Sequence, residues 1–114
     1  MDMNNSTLTI DEKKALKELK DCLNELLSDR IVGLILYGSR ARGDYDNKSD
    51  IDVAIIIRGL TRELKNQVFE TIADIELKYL TPLSTLVISE EHYEFLKQRE
   101  RRIALDIESE GIPL

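Results

Sequence analysis

A chain of 114 residues with a formal net charge of −6 and a pI of about 4.8 reads as one small domain with a modest core. That acidity argues against long nucleic acid as a partner, and with only 5% aromatic residues and no Trp there are few platforms on which bases stack. The single cysteine, Cys22, excludes an internal disulfide and a cysteine metal cluster, and no apolar run approaches the about 18 residues that span a membrane.

Residues 1–5 lack the basic and apolar regions of a signal peptide, so a cytoplasmic chain is expected. Residues 1–8 read as a loose, flexible tail ahead of a single domain over 9–114. Thr9 reads as an N-cap, with Glu12 three residues on completing a capping box. Ile10, Ala15, Leu16, Leu19, Cys22, Leu23, Leu26 and Leu27 then recur at helical spacing and make one apolar face. This first helix ends near Ser28-Asp29. Cys22 lies on the apolar face, as a structural thiol with nothing nearby to activate it. Residues 30–37 form a nearly continuous apolar run, the pattern of a strand covered on both faces.

The strand feeds Gly38-Ser39-Arg40-Ala41-Arg42-Gly43. Gly38, having no side chain, lets the backbone approach a phosphate closely. N–H groups at such a turn favour an anion, and Ser39 adds a hydroxyl. Arg40 and Arg42 either reach a nucleotide's phosphates or pair with Asp44 and Asp46. Residues 44–49 are a polar surface connection that includes Tyr45. Ser49-Asp50-Ile51-Asp52 opens a second strand over 50–57. Asp50 and Asp52 share one face of it, with Ile51 on the other. Two such carboxylates repel unless a cation lies between them. Mg²⁺, a hard cation with a preference for oxygen ligands and phosphates, is the natural choice.

Beyond Gly59, Thr61 caps a helix over 62–79 whose core-facing stripe is Leu64, Val68, Phe69, Ile72, Ile75 and Leu80. Pro82 breaks it. Residues 83–88 make a third strand. Ser89 caps a helix over 90–98, with Tyr93, Phe95 and Leu96 facing the sheet. A last helix over 101–110 faces the sheet through Ile103, Ala104 and Ile107. Gly111 reads as its C-terminal cap and Pro113 as a stop. His92 reads as a solvated first-turn residue, and Lys97, Arg99, Arg101 and Arg102 as a solvated basic face. The elements together predict an α/β (α+β) domain with a small mixed sheet packed against helices.

Gly38-Ser39-x-Ala41-Arg42-Gly43 followed by Ser49-Asp50-Ile51-Asp52 resembles the signature of the polymerase-beta-like nucleotidyltransferase superfamily, and in its compactness the minimal nucleotidyltransferase (MNT) branch. The resemblance covers most of the chain. It implies that Asp50 and Asp52 are catalytic and hold Mg²⁺. It also implies that Gly38, Ser39, Arg40, Arg42 and Ser49 bind a nucleoside triphosphate, ATP above others. The reaction implied is transfer of NMP to an acceptor hydroxyl. Minimal domains of this kind resemble antitoxins that adenylylate a HEPN-type partner protein. Active members take a third carboxylate from the next strand. Here the aligned position holds Ser84, with Thr85 the neighbouring choice, and Glu90 or Glu91 the alternative source of a carboxylate. A non-catalytic module that neutralises its partner by occlusion is therefore the second reading. The exposed helix faces of so small a domain also suit a homo-oligomer.

Overall fold

Thr9 opens the first helix through a reciprocal pair of hydrogen bonds. The Glu12 N–H donates to Thr9 Oγ1 at 3.1 Å, and the Thr9 N–H donates to Glu12 Oε1 at 2.8 Å. The computed structural model describes residues 8–43 and 50–114. In it helix α1 spans Ile10–Leu27, and a short 3₁₀ turn, Ser28–Arg30, leads into strand β1, Ile31–Tyr37. A one-turn helix α2, Ser39–Arg42, follows. Then come β2 (Ile51–Ile57), α3 (Arg62–Tyr79), β3 (Leu83–Ser89), α4 (Glu90–Gln98), α5 (Arg102–Glu110) and β4 (Ile112–Pro113). Residues 1–7 of the expected tail lie outside the described residues. Leu8, its last residue, packs half-buried against the core.

The four strands form one mixed sheet in the order β3-β2-β1-β4. β1 runs antiparallel to β2 and to β4, while β2 and β3 are parallel. A parallel pair needs a crossover connection, and α3 supplies it. Alternation along β2 sends its side chains into two different cores. Ile51, Val53, Ile55 and Ile57 join the α1 and α3 side, where Leu16, Leu19, Leu23, Val68, Ile72 and Ile75 are buried. Ala54 and Ile56 join the α4 and α5 side with Tyr93, Ala104 and Ile107. The sheet is thus a middle layer, which is why β2 is apolar without interruption.

Several expectations shift. β1 is not covered on both faces throughout, since Val32 is 41% exposed. The buried stripe of α3 is narrower than read: Val68, Ile72 and Ile75 follow i, i+4, i+7, and Phe69 lies one position round the helix, 43% exposed. Leu80 caps α3 in the left-handed region at φ 51° and is 85% exposed. Gly111 caps α5 as expected, in an extended conformation (φ −65°, ψ 140°) with its N–H donating to the Ile107 carbonyl at 3.0 Å, but a fourth strand, Ile112–Pro113, follows where only a stop was expected. Pro113 fits there because β4 lies at the edge of the sheet. Cys22 is half-buried, and burial together with the charges of Glu18, Glu25 and Asp21 pushes its thiol up, away from the reactive thiolate.

Candidate functional site

Because β1 and β2 are adjacent and antiparallel, the chain leaves β1 and re-enters β2 at one end of the sheet. There the register sets Tyr37 opposite Asp52 on one side and Ser84 opposite Asp52 on the other. Tyr37, Asp52 and Ser84 therefore make a row across three strands, on the α4 and α5 face. Asp50, exposed just ahead of β2 and two residues before Asp52, belongs to the same face.

The glycine turn is built against this row. Gly38 has φ 77° and ψ −162°, a conformation that L side chains rarely adopt. A Cβ on Gly38 would stand 2.3 Å from Asp52 Oδ2. The missing side chain is what lets the turn sit on the carboxylate. The Gly38 carbonyl accepts from the N–H groups of Ala41 and Arg42, each at 3.1 Å, and Gly43 closes α2 in the left-handed region. Ser39 lies half-buried at the start of that single turn.

The two arginines part company. Arg40, expected at the nucleotide, is 2% exposed, and its guanidinium pairs with Glu12 of α1. It ties α2 to the first helix. Arg42 stays at the rim, where its Nη1 lies 2.9 Å from Glu110 Oε2 at the end of α5. Its positive charge is felt at Asp52. Ser49, with Asp44, Tyr45 and Asp46, lies outside the described residues.

Burial is the largest influence on Asp52 and pushes its carboxyl above the usual carboxylate range; the Asp50 charge adds to this. The Ser84 hydroxyl and the charge of Arg42 act in the opposite sense. Tyr37 is pushed up by burial, then by Asp52 and Asp106. Negative charge is thus concentrated at this end of the sheet, in the state that a bound cation relieves. Among the described residues no three or more His, Cys, Asp or Glu side chains group into a metal site. The chain offers the Asp50 and Asp52 carboxylates, a hard oxygen pair suited to a divalent cation that takes its other ligands from phosphates and water.

Glu90 and Glu91 do not supply the third carboxylate. The parallel register puts Ser89 beside Ile57, at the opposite end of β2 from Asp52, and Glu90 Oε1 lies 3.4 Å from Arg58 Nε there. His92 is exposed at that far end, its backbone N–H donating to Ser89 Oγ. Lys97 is engaged by Glu94 and Glu108. Tyr37 and Glu110 join the site without having been read from the sequence. Register and the return of α5 bring them in, and no local motif marks either.

A family model described as a nucleotidyltransferase domain matches residues 16–110. A Methanocaldococcus jannaschii protein named "Putative protein adenylyltransferase MJ0141" is 36% identical over 73 residues, 63% of this chain and 74% of that relative. A second protein of the same organism, "Putative protein adenylyltransferase MJ0604", is 47% identical over 47 residues, 41% of this chain and 47% of its own length. A Sulfolobus solfataricus crystal structure described as that of "a putative nucleotidyltransferase" aligns with a TM-score of 0.50 at 21% identity, over 90% of this chain and 81% of that one, a likeness of fold. No described helix is long and apolar enough to cross a membrane.

Proposed function

Because this chain belongs to the nucleotidyltransferase-domain family, whose model matches residues 16–110, we propose that it transfers AMP from ATP to a hydroxyl of a protein acceptor. The observation that carries the reading is the Gly38 turn seated against Asp52, with Asp50 on the same face. Phosphates reach such a turn through backbone N–H groups, while paired carboxylates hold the cation that phosphates need. Asp50 and Asp52 would hold Mg²⁺, which supplies charge neutralisation at the phosphates. Gly38 and Ser39 line the triphosphate side, and the motif resemblance adds Ser49, which lies outside the described residues. Arg42, already at the rim, offsets charge on the departing pyrophosphate. The acceptor oxygen forms the new bond to the α-phosphorus as the bond to the β-phosphate bridging oxygen breaks; pyrophosphate leaves and the hydroxyl proton passes to water. Arg40 serves the turn from below through Glu12.

A protein acceptor agrees with the printed names of the two archaeal relatives. The motif resemblance adds a HEPN-type partner as that acceptor, and with it an antitoxin role in the cytoplasm. One observation favours the second reading, a module that neutralises its partner by binding: the residue opposite Asp52 is Ser84, a neutral hydroxyl with no basicity to offer. The two separate by intact mass of a HEPN-type partner incubated with this protein, ATP and Mg²⁺. An added AMP, absent with Asp50→Ala/Asp52→Ala, supports transfer. An unchanged mass in a stable complex supports occlusion.

A further inference from the structure

Helix α1 carries Lys13, Lys14, Lys17 and Lys20 along one stripe, and they wall a groove of about 440 Å³. The floor is apolar, made by Ile10, Leu16 and Leu114. Lys20 and Leu114 also line a second depression of about 340 Å³ that runs along β1 from Ile31 to Ile35. There β4 pairs with Ile35 and Leu36 and the Leu114 N–H donates to the Leu34 carbonyl at 2.8 Å, so the open edge of β1 runs from Ile31 to Gly33. Ile10 is 74% exposed and Val32 41%. Among the described residues none of the four lysines makes an ion pair.

We propose that this groove docks an acidic amphipathic helix of a partner protein, its apolar side chains on the groove floor and its carboxylates against the lysines. Charge decides the partner. In a chain of net charge −6, four lysines gathered on one helix, with Glu18 and Asp21 beside Lys14 and Lys17 only, repel one another at i+3 and i+4 spacing, and a partner's carboxylates relieve that repulsion. An apolar stripe at helical spacing fits a groove of this kind. A bilayer is a poor occupant, because of the floor residues only Ile10 stands well exposed, while Leu114 is half-buried and Leu16 is only 1% exposed. Nucleic acid is a poor one too, since the lining holds no aromatic side chain on which a base stacks. The surface also has a place in the molecule: Lys13 follows Glu12, which holds Arg40 beneath the Gly38 turn. A partner seated here lies beside the element that carries the phosphate turn. Docking needs no chemistry, so it stands or falls apart from the transfer reaction.

The test is fluorescence anisotropy with a labelled synthetic helix of about 18 residues, leucine on one face and glutamate on the other. Saturable binding is expected, with affinity falling about tenfold or more in Lys13→Glu/Lys17→Glu and less in Lys13→Ala/Lys17→Ala. A lysine-for-glutamate version of the peptide should regain binding to the charge-reversed protein. Circular dichroism of both variants checks that the fold is kept. The proposal is overturned if a scrambled peptide of the same composition binds equally well, or if neither variant changes the affinity. It is also overturned if the reversal instead abolishes a concentration-dependent dimer seen by sedimentation, which would make a second copy the occupant. Binding to phosphatidylserine vesicles, lost on reversal, would overturn it in favour of lipid.

Discussion

Ser84 stands directly across the parallel β2–β3 pair from Asp52, and its hydroxyl works against the burial that pushes the Asp52 carboxyl up. The motif resemblance expects a third carboxylate at this place, and the register makes the replacement literal. Ser84→Asp should therefore increase Mg²⁺ affinity and raise AMP transfer about 100-fold, the lower range for adding a general base. Without metal the same variant should melt below the wild type, because three carboxylates then crowd one rim, and Mg²⁺ should restore the difference. Calorimetric Mg²⁺ titration and labelled AMP incorporation measure the two effects. A variant with unchanged metal affinity and rate would mean that the residue opposite Asp52 does not limit the chemistry.

Gly38→Ala tests the close approach. The new methyl would meet Asp52 Oδ2 at 2.3 Å, on a backbone at φ 77°. The backbone strain alone costs about 1–3 kcal/mol, and the clash displaces the carboxylate as well. Transfer should fall about 100-fold or more, as when reacting groups shift by about 1 Å, while circular dichroism still shows the fold. Asp50→Ala, which leaves the turn untouched, should abolish transfer with little change in melting temperature. Equal activity of Gly38→Ala and wild type would remove the turn from the site.

Asp52 is held in its charged form at a cost to the fold, and the sign follows from its raised folded value. Between the ordinary carboxylate value and the higher folded one, the native state binds more protons than the unfolded chain. Stability therefore falls as pH rises through that window. Asp52→Asn removes the titration. It should melt at the same temperature as wild type in strong acid and above it at neutral pH without metal, while transferring no AMP. Added Mg²⁺ should stabilise the wild type and leave the variant unmoved. A variant less stable than wild type at neutral pH would show Asp52 to be a structural residue.

The legible part of this molecule is what local chemistry dictates. The Thr9 and Glu12 capping box, the bounds of α3 and α4 and the mixed sheet follow from short-range patterns, while the place of Ser84 beside Asp52 follows from the motif resemblance, which left Thr85 as the neighbouring choice until the register decided it. What escaped was decided at long range. β4 is two residues long, and its pairing with Ile35 and Leu36 depends on α5 returning Gly111 to β1. No periodicity exists over two residues to announce it. Arg40 and Arg42 sit two apart in one motif, yet α1 buries the first and α5 meets the second. The motif names the residue types. Only packing tells which guanidinium is inside. Glu110 faces Arg42 across 68 positions of sequence, a pairing no local reading reaches.

The Glu12 and Arg40 pair makes the last prediction. The Arg40 side chain is 3% exposed and that of Glu12 17%. Burial pushes the Glu12 carboxyl up, but the Thr9 backbone N–H and the Arg40 guanidinium together hold it below its ordinary value. A lowered folded value means that the pair's stabilisation is present above the ordinary value and is lost as pH falls through the folded one. Glu12→Gln isolates the charge, because glutamine still serves the capping box with Thr9. It should destabilise by about 1–3 kcal/mol at neutral pH, the range for a partly buried charged hydrogen bond. The gap from wild type should close in acid. Since Arg40 lies in the turn of helix after Ser39, the same variant should raise the KM for ATP more than it lowers kcat. Glu12→Ala, which removes the cap as well, should lose more stability without a further rise in KM. A neutral-pH melting temperature unchanged in Glu12→Gln would show that the buried guanidinium is stabilised by something other than this carboxylate.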